Sequence, residues 1–367
     1  MGLKLAEAVK NLNKNAKEEL VHKGLSEYEY TRIPFTSPRL NWMTFGGLPM
    51  GKLIEFYGEN HGGKSTTALD IVANYQNMER IKAEEDSTYE PKTVVFADIE
   101  NTIDTVYATR LGVNMDDIYI YNPTGQGAET IFDQLLTLLE TGEVGLLVVD
   151  SLGAMMSNQA FEKSIEDRTY GGISLALTNF SKRAEMLCHK HNCTVIGINQ
   201  FRANMNSPYG GMTTVGGESW RYLCSVRLEF RMGKYFDDKG NDLSRGAENP
   251  AGNYVLVSMT KNKTCPPTRR TGFYTLNYQI GIDYFKDLVE VAMRKEIGAI
   301  IQSGAWYSII DVESGELLDK VQGISKVYAY LNEHTDVLKK IEDLIDEQIL
   351  NRDNLDLDRA RFDELGE

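Results

Sequence analysis

Eight consecutive residues carry the clearest chemistry: Gly58-Glu59-Asn60-His61-Gly62-Gly63-Lys64-Ser65. Two glycines with four residues between them, followed by Lys and a hydroxyl, form the pattern that cradles phosphate. The glycines let the backbone curl until its N–H groups face phosphate oxygens. A helix starting near Lys64 adds the partial positive charge of its N-terminus. Lys64 is placed to reach β- and γ-phosphates, and the Ser65 hydroxyl to ligate Mg2+. Gly58, Glu59, Asn60, His61, Gly62, Gly63, Lys64, Ser65 and Thr66 are therefore the candidate ATP contacts. Within that set His61 reads as a bystander.

Hydrolysis needs carboxylates beside the phosphates, and two apolar stretches deliver them. Leu146-Leu-Val-Val-Asp150 reads as a strand ending in an acid. Such an Asp at a strand's C-terminal edge can hold Mg2+ through water. Val94-Val-Phe-Ala-Asp98-Ile-Glu100 brings two more acids to a similar edge. One group must orient and deprotonate the attacking water. Glu100 is the candidate, with Asp98 the competing choice.

Positioning these groups requires strands that end together. From about Lys52 the chain alternates apolar runs (53–57, 93–97, 118–121, 145–149, 194–198) with helical stretches (65–78, 128–139, 175–189). That alternation predicts an α/β fold, a mostly parallel sheet flanked by helices. After Ser225 the strands follow one another directly (226–230, 254–259, 271–276), which predicts an antiparallel extension of the same sheet. The expected organisation starts with a small amphipathic N-terminal helix and linker over 1–35, docking on a neighbouring subunit. An ATPase core over 36–280 follows, then a small α+β C-terminal lobe over 281–340. An acidic C-terminal tail over 341–367 closes the chain, disordered beyond Asn351.

Composition narrows the function classes. The net charge is −14, from 39 basic and 53 acidic residues, which disfavours a general polyanion binder. From Ile341 onward, ten acidic residues stand against three arginines, so this stretch alone carries −7. A local basic groove elsewhere is thus compatible with the total. No run of 18 apolar residues exists, so no membrane partner is expected. Four cysteines in 367 residues are too few for a disulfide scaffold, which points to the cytoplasm. Cys188-His-Lys-His-Asn-Cys193 has the residue types of a zinc site but lacks a second paired set, so it reads as structural.

Several further motifs are colinear with the phosphate loop. Gly46-Gly-Leu-Pro-Met-Gly-Lys52 leads into it. Asp98-Ile-Glu-Asn-Thr-Ile-Asp104-Thr-Val-Tyr107-Ala-Thr-Arg-Leu-Gly-Val113, Val148-Val-Asp-Ser151 and Ile198-Asn-Gln-Phe-Arg202 follow in order. Thr213-Thr-Val-Gly-Gly217, Lys261-Asn-Lys263 and Gly304-Ala-Trp-Tyr-Ser308 complete the series. Over roughly residues 40–335 the chain resembles the bacterial RecA recombinases and their phage-encoded relatives such as UvsX. The resemblance implies a RecA-type P-loop ATPase that polymerises on single-stranded DNA and exchanges strands with a homologous duplex. ATP and Mg2+ are its implied cofactors.

Roles follow position by position from that resemblance. Glu100 matches the catalytic glutamate, and Gln200 a sensor that couples the γ-phosphate to the DNA loop after it. Asp104 and Tyr107 match adenine contacts, and a Tyr face suits stacking. Lys261 and Lys263 match lysines that act on the neighbouring subunit's ATP, as arginine fingers do. Two loops are implied to hold DNA, over 161–172 and 201–217. The second is rich in Gly, Asn, Ser and Thr and reads as a mobile loop by composition alone. Arg168, Arg202, Asn206, Tyr209, Gly210, Gly211, Met212, Gly216, Gly217 and Arg221 are the DNA-contact candidates.

The implied partners are single- and double-stranded DNA, further copies in a helical filament with ATP between subunits, and single-strand-binding and loader proteins. The phosphate loop departs from the family at Glu59 to Gly62, and the N-terminal segment matches poorly. Both features lean towards a phage origin, with the host cytoplasm as the compartment. Two other classes compete: a hexameric RecA-fold helicase or translocase, and a nucleotide-gated recombination mediator with weak hydrolysis. The Gly-rich second loop and Lys261-Asn-Lys263 disfavour the motor. Glu100 with the two lysines favours real turnover over the mediator.

Overall fold

A strand covered by helices on both faces has to be apolar almost throughout, and the central strands obey this. The computed structural model describes residues 2–16, 21, 30–162, 172–203, 212–244, 246–351 and 359–366. The central sheet contains β1 (Leu53–Gly58), β2 (Thr93–Asp98), β3 (Ile118–Tyr121), β4 (Val144–Asp150) and β5 (Thr194–Ala203). It continues with β6 (Val226–Phe236), β7 (Gly252–Asn262), β8 (Thr271–Asn277) and β9 (Gly281–Ile282). Their spatial order is β9-β8-β7-β6-β1-β5-β4-β2-β3. From β6 to β3 every pairing is parallel. β7, β8 and β9 add antiparallel strands beyond β6.

Alternation along each strand divides the core into two layers. Ile54, Phe56, Val94, Phe96, Leu146, Val148, Ile196 and Ile198 pack against Ala68, Ile71 and Val72 of the helix Lys64–Glu85. Their sequence neighbours Leu53, Val95, Leu147, Val149 and Val195 face the opposite way, onto the helices Ala128–Glu140 and Ser174–His191. The helix after the phosphate loop is longer than the apolar pattern predicts. Its extra turns are held by Glu79, buried, which accepts from Lys82 Nζ (2.7 Å), Tyr89 Oη (2.7 Å) and the Lys92 N–H (2.9 Å). A polar anchor of this kind leaves no hydrophobic signal. β5 also outruns its prediction: Phe201, Arg202 and Ala203 pair with a short antiparallel strand, Met212–Thr214.

The C-terminal lobe combines the helix Tyr284–Ala292, a three-stranded antiparallel sheet, and the helices Ile324–Glu333 and Thr335–Leu350. It starts after β9, which belongs to the main sheet. The expected acidic tail from 341, disordered beyond Asn351, needs correction. Val337, Ile341, Ile345 and Ile349 recur every four residues and are buried, so position 341 lies inside a packed helix. Charges on the outer face of that helix hide this periodicity in a net count. Further on, Arg359–Gly366 is helical, and its Phe362 and Leu365 pack with Phe236, Tyr254, Leu256 and Phe273.

Arg269 ties these parts together. It is fully buried, lies 4.5 Å from the Trp42 ring centre and 4.0 Å from that of Phe45. It donates to the carbonyls of Trp42 and Ile349, both at 2.8 Å, and to that of Asn351. Arg269→Ala removes a buried cation from these carbonyls and rings and is expected to cost about 3–5 kcal/mol. Urea denaturation measures this; a change below about 1 kcal/mol would contradict the clamp.

Chain contacts divide the molecule into residues 1–31 and residues 32–367. The first unit contains the helix Gly2–Ala16. Its Asn13 side chain exchanges two hydrogen bonds with the Val21 backbone, at 2.8 and 2.9 Å. Among the described residues no helix is long and apolar enough to cross a membrane.

Candidate functional site

β1 delivers the phosphate loop to the C-terminal edge of the sheet, where Gly58 lies between Gln200 of β5 and Phe230 of β6. Two glycines are sterically required. A Cβ on Gly58 would sit 2.0 Å from the Phe230 carbonyl oxygen, and Gly63 caps the following helix at φ +89°. His61 also adopts a left-handed φ, of 59°, and is exposed on the loop with Glu59. The buried Lys64 ammonium lies across the loop, donating to the carbonyls of Gly58 (3.4 Å) and Glu59 (2.5 Å). Burial lowers its pKa, while Asp150, Glu100 and Glu59 oppose the shift. The helix N-terminus and this lysine make the loop a place for anionic oxygen.

The carboxylates arrive from the adjoining strands. Asp98 and Asp150 are register partners at the ends of β2 and β4. Ser65 Oγ donates to Asp150 Oδ2 at 2.6 Å, so the two expected Mg2+ ligands meet. Hard oxygen donors of this kind suit Mg2+. Burial pushes Asp150 up to about 6, the Ser65 hydrogen bond lowers it, and Glu100 raises it again. Asp98 and Glu100 separate cleanly. Asp98 is buried and accepts the N–H groups of Thr102 (3.0 Å) and Ile103 (2.9 Å), so it shapes the loop. Glu100 is exposed and accepts from Ser151 Oγ at 2.5 Å. Ser151 was not singled out from the sequence as a site residue, although it adjoins Asp150; the Asp150–Ser151 peptide is cis.

Beside the loop a groove of about 540 Å3 is lined by His61 to Thr66, Tyr107, Met232, Tyr235, Asn253, Leu276 and Tyr278. That volume suits a small-molecule ligand. Tyr107 is half-buried with its hydroxyl 3.2 Å from Thr66 Oγ1. Asp104 is already engaged, capping the helix Thr105–Arg110 through the N–H groups of Val106 and Tyr107. Tyr235 enters from the end of β6 and Tyr278 from just after β8, each more than a hundred residues away in sequence, where no local motif marks them.

Lys261 and Lys263 are not brought to this groove. Lys261 pairs with Arg227 across β7 and β6, and Arg227 pairs with Glu55 across β6 and β1. Lys261 therefore stands two strands over and three residues before Gly58, roughly 10 Å in each direction. Its ammonium donates to the carbonyls of Arg221 (2.6 Å) and Tyr222 (2.8 Å); Lys263 donates to Tyr222 (2.9 Å). Burial lowers the Lys261 pKa, and neighbouring Lys263 lowers it further.

The DNA candidates divide by location. Arg202 lies at the end of β5, exposed, with Nη2 donating to the Gly153 carbonyl at 2.7 Å. Met212 is 64% exposed on the returning strand. Gly216 and Gly217, both at positive φ, open the helix Gly217–Leu223, and Arg221 Nε donates back to the Gly217 carbonyl. Arg168, Asn206, Tyr209, Gly210 and Gly211 lie outside the described residues. Cys188 and Cys193 are buried free thiols, and among the described residues no cluster of metal-ligating side chains occurs.

Comparison with known proteins bears on this site. Residues 4–283 match the model of the RecA N-terminal domain family. "Protein RecA" of Fusobacterium nucleatum is 31% identical over 306 residues, 83% of this chain and 72% of that protein. The proteins of the same name from Paracoccus denitrificans and Dichelobacter nodosus are each 32% identical, over 302 and 322 residues. They cover 82% and 87% of this chain, and 76% and 83% of their own lengths. The chain belongs to the RecA family of ATP-dependent DNA recombinases.

Proposed function

We propose that the chain polymerises on single-stranded DNA with ATP between subunits, pairs that strand with a homologous duplex, and releases DNA as ATP is hydrolysed. The observation carrying this reading is the meeting of four strand ends, β1, β2, β4 and β5, at one sheet edge. They bring Lys64, Ser65, Asp150, Glu100 and Gln200 together. The loop backbone from Gly58 to Thr66 and Lys64 bind the triphosphate, and Tyr107 and Asp104 border the base. Ser65 and Asp150 hold Mg2+, which when bound neutralises charge on the phosphate oxygens. Glu100, held by Ser151, orients the attacking water and takes its proton. Lys261 and Lys263 cannot span to their own phosphate loop, which supports their acting on a neighbour's ATP.

Gln200 reports the γ-phosphate to the loop that begins one residue later. Arg202, Met212, Gly216, Gly217 and Arg221 bind DNA together with Arg168, Asn206, Tyr209, Gly210 and Gly211. Pairing supplies sequence recognition, so these residues need only grip backbone and space bases. Leu5 and Leu12 of the first helix are exposed at 71% and 52%, and this apolar stripe is suited to docking on the next subunit. Single-strand-binding and loader proteins are further partners. None of the four cysteines is in a disulfide, consistent with action in the cytoplasm, or the host's cytoplasm for a phage protein.

Strand exchange tests the reading directly. With ATP, Mg2+ and homologous substrates, joint molecules are expected, and Lys64→Ala is expected to abolish them with nucleotide binding. Unwinding of a fork without homology would instead mark a motor. Loading of a partner without exchange would mark a mediator.

A further inference from the structure

One fully buried carboxylate lies where the nucleotide strand, the Gln200 strand and the return of the second DNA loop meet. Glu55 is 0% exposed, in the middle of β1, three residues before Gly58. A buried charge is costly unless each oxygen is satisfied. Its Oε1 accepts from Asn199 Nδ2 at 2.9 Å, and its Oε2 from Arg227 Nε at 2.5 Å. Each partner reaches onward. Asn199 Nδ2 also donates to the Val215 carbonyl (2.8 Å), and Asn199 Oδ1 accepts the Gln200 N–H (3.0 Å). Arg227 lies over the Tyr57 ring, 4.5 Å from its centre, with Nη2 3.5 Å from Thr214 Oγ1. Arg227 is also the register partner of Lys261.

We propose that Glu55 is a positioning residue that couples DNA held by the second loop to the nucleotide site, through Asn199 to Gln200 and through Arg227 to the Lys261 strand. Thr214 and Val215 close the hairpin whose other arm is Phe201 to Ala203. A displacement of Val215 acts on the Asn199 amide, and that amide holds the Gln200 backbone. The path from loop return to Gln200 is thus two hydrogen bonds long. Its fixed end is Glu55, which cannot move without moving β1 and the phosphate loop. An apolar residue would pack this position at lower desolvation cost, but it would connect neither Asn199 nor Arg227.

The inference rests on the DNA-stimulated ATPase reading above. Its test compares Glu55→Gln with wild type in ATP hydrolysis with and without single-stranded DNA, alongside nucleotide Kd. The expected result is DNA-free hydrolysis and nucleotide Kd within about twofold of wild type, and stimulation by DNA reduced about tenfold or more. Glu55→Gln with full stimulation overturns the inference, as does an equal loss with and without DNA, which marks a role in folding alone. If Glu55→Gln does not fold, Asn199→Ala cuts the link to Val215 while leaving the Glu55–Arg227 pair, and is judged by the same outcomes. Absence of stimulation in wild type would instead overturn the parent reading.

Discussion

Glu100→Gln is expected to lower ATP hydrolysis by about 10²–10⁴-fold while leaving nucleotide affinity unchanged. The amide keeps the shape of the carboxylate but cannot take a proton from water. Binding persists because the phosphates are held by other groups: the loop backbone, the helix N-terminus and Lys64. Single-turnover hydrolysis with saturating DNA reads the chemical step, and a fluorescent nucleotide reads affinity. Asp98 offers no alternative base, since both its oxygens are occupied by the N–H groups of Thr102 and Ile103 in a buried pocket. Unchanged hydrolysis in Glu100→Gln would move the base to another residue. A parallel loss of affinity would make Glu100 a binding group.

The double change Lys261→Ala, Lys263→Ala is expected to reduce DNA-dependent hydrolysis by about 10³–10⁵-fold, the size of an arginine-finger effect. Its sharper consequence concerns mixtures. In a head-to-tail polymer each site joins one subunit's phosphate loop to the next subunit's lysines. An equal mixture of Lys64→Ala with the lysine double variant pairs an intact loop with intact lysines in half times half of the contacts. Hydrolysis should return to about a quarter of wild type, although neither variant is active alone. No recovery on mixing would place both lysines and loop in the same chain's site. The present geometry opposes that outcome, because Lys261 lies two strands away from Gly58 and below it.

The phosphate loop was fully legible because its chemistry is local. Gly58, Gly63, Lys64 and Ser65 lie within eight residues, and one turn of backbone is enough to aim them. Strand ends with acids were legible for a related reason: an apolar run stopping at Asp98 or Asp150 marks a sheet edge. Glu100 could be named from the sequence, but its separation from Asp98 came from the fold. Two carboxylates two residues apart look alike until one is seen buried against backbone N–H groups and the other exposed beside Ser151. Charge masks the C-terminal helix in the sequence. Val337, Ile341, Ile345 and Ile349 carried the correct periodicity, yet the acids between them outweighed it in a net count.

Local spacing thus determined the glycine-rich phosphate-loop pattern, the α/β alternation around it and the family resemblance. All three depend on residues close in sequence or on short patterns repeated in order. Tertiary contact was needed for everything that joins distant segments. Tyr235 reaches the groove from the far end of β6, and Tyr278 only because the sheet continues past β6 to β8. Lys261 is excluded from its own phosphate loop by strand order and register, neither of which a linear pattern encodes. Glu55 reads in sequence as one polar interruption in a strand. Its meaning depends on Asn199, 144 residues away, and Arg227, 172 residues away, meeting one carboxylate in a site closed to water.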